Sequence, residues 1–79
     1  MIGTAREVYR QAVAAAEIAQ KTFMRMDNLY KEGVITAQKR DEAQAAFKAT
    51  QAQVAAAKEQ LKLAQDGSRE EEKRAAAKQ

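Results

Sequence analysis

No cysteine, histidine, proline or tryptophan occurs in this 79-residue sequence, and glycine appears three times. Each absence removes a class of chemistry. Without cysteine there is no disulfide framework and no thiolate metal site. Without histidine the commonest general base and the commonest metal ligand are missing. Without proline no interior position of a helix is forced to break. No apolar run is long enough to span a membrane. The opening residues, Met1-Ile2-Gly3-Thr4, do not resemble a signal peptide, so any export or anchoring signal is expected outside this chain. Aromatic residues are scarce: two Tyr and two Phe. They cannot fill a compact globular core of this length, which would be marginal in any case. An elongated structure, supported by further copies or by a larger protein, is expected.

What is present is helix-forming. Alanine is the commonest residue, and Lys, Arg, Glu and Gln supply most of the rest. These side chains lose little freedom in a helix. The net charge is +3 with both signs interspersed. That pattern fits a solvated helix surface and not the dense, one-sided basic stripe of a nucleic-acid or membrane binder.

Gly3-Thr4-Ala5-Arg6-Glu7 reads as a helix start, with Thr4 as N-cap and Glu7 completing a capping box. Tyr9, Ala12, Ala16, Ala19, Phe23, Met26 and Tyr30 then recur at alternating spacings of three and four, a coiled-coil seam. Val8, Ala15 and Leu29 flank it. Glu17 with Lys21 and Asp27 with Lys31 are acid-first pairs four apart.

Gly33 is expected just beyond the helix end, in the left-handed conformation that glycine alone adopts cheaply. Thr36 then caps a second helix, although Lys39 stands where a capping-box acid would be. Thr36, Arg40, Ala43, Phe47, Thr50, Val54, Ala57, Leu61 and Ala64 carry the second seam. A short connection makes neighbouring helices antiparallel. The expected fold is therefore all-α: an antiparallel two-helix coiled-coil hairpin over residues 4–66, turning near 33–35. Asp66-Gly67 is expected to end the second helix. Ser68 would start a short third helical segment, 68–79, that continues the return arm and carries a Glu70–Arg74 pair. Gly3 and Gly67 would then lie at one height and form a joint.

The sequence offers no nucleophile–base pair, no glycine-rich phosphate loop and no metal-ligand spacing, so neither an enzyme nor a bound cofactor is expected. Asp41-Glu42 and Glu70-Glu71-Glu72 are adjacent on a helix and do not converge on one point. The aromatic residues sit on seam positions and read as core. The turn is different. Arg25 and Leu29 are four apart and share a face of the last turns of helix one, and Thr36 follows seven later across the turn. A guanidinium, an apolar anchor and a hydroxyl at a hairpin apex make a docking surface, suited to carbonyls or carboxylates on another helical tip.

The stretch Thr22-Phe23-Met24-Arg25-Met26-Asp27-Asn28-Leu29-Tyr30-Lys31-Glu32-Gly33-Val34-Ile35-Thr36, followed by Asp41-Glu42-Ala43, resembles the hairpin apex of periplasmic adaptor proteins. These are the membrane fusion proteins of tripartite efflux pumps and type I secretion systems (HlyD-like). That family carries an Arg, a Leu four later and a Ser or Thr seven after that, matched here by Arg25, Leu29 and Thr36. The Gly67-Ser68-Arg69-Glu70-Glu71 stretch resembles adaptors with an interrupted return helix.

The resemblance implies a periplasmic hairpin, part of an inner-membrane-anchored protein. Its tips would pack beside neighbouring adaptor protomers in a hexameric funnel and meet a TolC-like outer-membrane channel tip to tip. Contact with an inner-membrane transporter would run through parts not in this chain. The alternative is a generic self-associating structural coiled coil without a channel partner.

Overall fold

The computed structural model describes the backbone of residues 2–77 and the side chains of residues 2–67. Two helices make up the chain: α1, Ile2–Lys31, and α2, Ala37–Ala77. They fold back on one another into a rod of 69 × 15 × 12 Å. No strand occurs among the described residues, and the architecture is the expected antiparallel hairpin.

Alternate spacings of three and four place one stripe of each helix against the other. Tyr9, Ala12, Ala16, Ala19, Phe23 and Met26 of α1 are half-buried, as are Arg40, Ala43, Phe47, Thr50, Val54, Leu61 and Ala64 of α2. Among the described side chains only Ala57 is fully withdrawn, at 4 % exposure. Two helices can shield only one stripe each, and alanine has little side chain to shield. The one aromatic pair among the described residues is Phe23 with Phe47, whose rings stack with centroids 6.2 Å apart and planes 26° from parallel. The Thr50 hydroxyl, half-buried on the seam, donates to the Phe47 carbonyl at 2.6 Å and so is not left unpaired. Two expected seam positions fall outside: Tyr30 and Thr36 are exposed, because they lie where the helices end and the chain turns.

The ends of the arms differ from the sequence reading. α1 begins at Ile2, so Gly3 and Thr4 lie inside its first turn and Thr4 is not its cap. α2 runs without a break through Asp66, Gly67 and Ser68. Residues 68–77, expected as a short third segment continuing the return arm, are therefore an unbroken continuation of α2. A lone glycine costs a helix about 1 kcal/mol relative to alanine. Ending the helix and nucleating another would cost more, and beyond Asp66 and Ser68 the stretches 61–65 and 69–77 are rich in strong helix formers. The backbone thus runs through Gly67. The Glu70–Arg74 pair lies outside the described side chains. Asp27 and Lys31 pair at 3.0 Å, whereas Glu17 and Lys21 do not.

Candidate docking tip

The turn is closed by backbone chemistry that the sequence specifies. Gly33 has φ +78° and is the single residue with positive φ among those described. Its N–H donates to the Tyr30 carbonyl at 3.0 Å, and the Val34 N–H donates to the Leu29 carbonyl at 2.8 Å. This pair of bonds is a Schellman motif, which satisfies carbonyls that the end of α1 would otherwise leave free. A Cβ at Gly33 would meet nothing within 4 Å, so glycine is needed there for its backbone and not for space. Val34, which follows, is 64 % exposed at the apex.

Thr36 starts α2 as its N-cap. Its Oγ1 accepts the Lys39 N–H at 3.3 Å, and its carbonyl accepts the Arg40 N–H at 3.2 Å. The residue placed on the docking surface by its type is therefore also structural. Thr36→Ala should lower the melting free energy by about 1 kcal/mol, and Thr36→Ser should restore it. Thermal unfolding followed by circular dichroism measures this; an unchanged midpoint in Thr36→Ala would show that the cap is not holding the helix.

The other two candidate residues differ in burial. Arg25 is exposed, six residues before α1 ends, about 9 Å down its axis. It makes no ion pair with another described residue. Leu29, in the last turn, is half-buried. The structure thus sets all three residues about the Gly33 turn, but of the three only Arg25 is exposed and without a polar partner among the described residues.

Sequence reasoning placed Arg40 on the seam and missed what it does there. Its Nη1 stands 3.8 Å from Asp27 Oδ1 across the hairpin, and its guanidinium carbon lies 4.5 Å from the centroid of the Tyr30 ring. The available signal was a charged residue at a core heptad position, facing an acid and an aromatic on the opposite arm. Among the described residues no group of three His, Cys, Asp or Glu side chains could hold a metal ion. No described helix is long and apolar enough to cross a membrane.

Two long helices joined by a Schellman-capped turn, displaying an Arg, a Leu and a capping Thr, define an α-helical hairpin domain. The chain belongs to the YBHG alpha-helical hairpin domain family, whose model matches residues 2–79. It is also similar to a protein called 36 kDa antigen in two Helicobacter pylori strains, J99 and 26695. Identity is 41 % over 75 residues in each case, covering 95 % of this chain and 23 % of the relative. The chain thus spans about a quarter of the length of these curated relatives. No solved structure matches it.

Proposed function

We propose that this hairpin is the non-enzymatic docking arm of an adaptor in a tripartite efflux pump or type I secretion system of the HlyD-like kind. Its tip meets a TolC-like outer-membrane channel in the periplasm, and an inner-membrane transporter is reached through parts of the protein outside this chain. The observation that carries this reading is the tip itself: an exposed Arg25, unpaired among the described residues, with Leu29 and Thr36 about a hydrogen-bonded glycine turn, at the end of a rod 69 Å long. A long rod with a shaped tip suits bridging between partners. Exchanging the order of residues 25–36 while keeping Gly33 separates the two main readings. A docking arm loses channel binding; a structural coiled coil keeps its helicity and its partners.

Neighbouring copies have a distinct place to pack. Heptad arithmetic puts Val8, Ala15 and Ile18 of α1 on one face with Ala49, Ala56 and Leu63 of α2. This face carries no charge along that length, yet Ile18 and Leu63 are 68 % and 67 % exposed on it. The groove between the arms there, lined by residues including Val8, Ala15, Gln53 and Ala56, is uncharged as well. The groove on the opposite face includes Glu17. Since the hairpin alone buries so little, side-by-side packing along the uncharged face would supply the missing core.

Ala56→Glu should therefore weaken self-association by roughly tenfold or more, because an unpartnered carboxylate at a packed contact costs over about 1 kcal/mol. Ala52→Glu, on an exposed position turned away from that face, should not. Sedimentation equilibrium of the two variants is the check, and equal association would remove this face from the assembly.

A further inference from the structure

A charged side chain lies on the seam directly beneath the tip. Arg40 occupies a seam position of α2, where an apolar residue would serve packing better. It also sits at the start of α2, whose first turn contains no acid, so its charge opposes the positive end of the helix dipole. Packing alone would not put a guanidinium there.

The side chain is nevertheless mostly withdrawn, at 31 % exposure, and its partners come from both arms. Nε and Nη2 donate to Asp41 Oδ1 at 3.1 and 2.9 Å. Nη1 faces Asp27 Oδ1 of α1 at 3.8 Å. The guanidinium also lies over the Tyr30 ring of α1. Asp27 is held in turn by Lys31, whose Nζ is 3.0 Å from Oδ2. The acid and the ring are interleaved with the tip: Asp27 lies between Arg25 and Leu29, and Tyr30 follows Leu29. On the other arm, Arg40 donates its own N–H to the Thr36 carbonyl.

We infer that Arg40 is a positioning residue. It fastens the last turns of α1 to the first turn of α2, so that Arg25, Leu29 and Thr36 form one rigid surface. This rests on the docking reading above. The seam next below, which includes Phe23, Met26, Ala43 and Phe47, is apolar and offers no directional polar bond across the arms. Lysine cannot substitute, because a point charge on a flexible stem does not stack as a plane while donating from several fixed nitrogens.

Two substitutions test the inference, in this chain and in the protein that carries it. Arg40→Met fills the seam without charge, and replacing a withdrawn ion pair by an apolar residue generally leaves global stability equal or higher. Its melting temperature should hold or rise. Amide exchange at residues 27–31 should nevertheless quicken by roughly tenfold, and the distance distribution between spin labels at Asn28 and Lys39 should broaden. Arg40→Lys should behave likewise. Both should lose export in the intact protein by about tenfold or more, as expected when charge-assisted contacts at a docking surface are misplaced.

Unchanged exchange and distances in Arg40→Met would overturn the inference. So would a loosened apex with full export, beside an Arg25→Ala variant that fails to export. Normal export by Arg25→Ala would instead defeat the docking reading, and the clamp would then stand or fall on exchange and distances.

Discussion

Arg25→Ala should abolish export by the intact protein while leaving the hairpin as stable as before. Arg25 is exposed and makes no ion pair with another described residue, so its loss should change stability by no more than about 0.5 kcal/mol. Alanine is also the better helix former. Docking is another matter. Each hydrogen bond from a guanidinium to a partner oxygen is worth about 1.5–3 kcal/mol, so losing one or two weakens binding by roughly ten- to ten-thousandfold.

Leu29→Asp should also stop export, but less cleanly than its place in the sequence suggests. Leu29 is half-buried in the last turn of α1, where a new acid opposes the negative end of the helix dipole. A loss of about 1–2 kcal/mol of stability is expected alongside the docking defect. Leu29→Ala separates the two effects better. Channel binding, export and thermal unfolding measured together decide the matter: wild-type export by both Arg25→Ala and Leu29→Asp would end the tip-docking reading.

The parts of this structure visible in the sequence are those fixed by local rules. A seam repeating every three and four residues has few alternatives, so spacing alone put Phe23 and Phe47 on the facing stripes, although it did not pair them with one another. Gly33 and Thr36 were legible because a left-handed residue and an N-cap each demand a side chain of a particular kind. Gly67 misled for the opposite reason. It resembles a stop signal, but nothing in its surroundings makes stopping worthwhile, and the helix absorbs its cost. Thr4 misled similarly, since a capping box marks a favourable start without preventing an earlier one. Arg40 was hidden because its meaning depends on two residues of the other arm. Heptad positions give the face of a helix but not which long side chains reach across it.

The hairpin's stability should rest on its aromatic pair more than on any other contact. Six of the sixteen expected seam positions are alanine, and Ala57 is the single fully buried residue among the described side chains. Phe23 and Phe47 meet at 6.2 Å, nearer the turn than the base of the arms, and such pairs add about 0.5–1.5 kcal/mol beyond the area they bury. Full burial would make Phe→Ala cost about 3–5 kcal/mol; half-burial reduces this to about 2–3 kcal/mol. Phe47→Ala should therefore lower the melting temperature by about 10 °C or more for a chain of this size. Phe23→Ala should do nearly the same, and the double variant should cost less than the two together, since each removes the same contact. Ile18→Ala is the control, because its side chain is mostly exposed in the single hairpin. Circular dichroism melts at several protein concentrations give the answer, because association would itself raise the midpoint. A shift of only about 2 °C in Phe47→Ala would mean that the arms are held elsewhere. The most direct candidate would then be contact with further copies along the uncharged face, and Ile18→Ala would become the more damaging change.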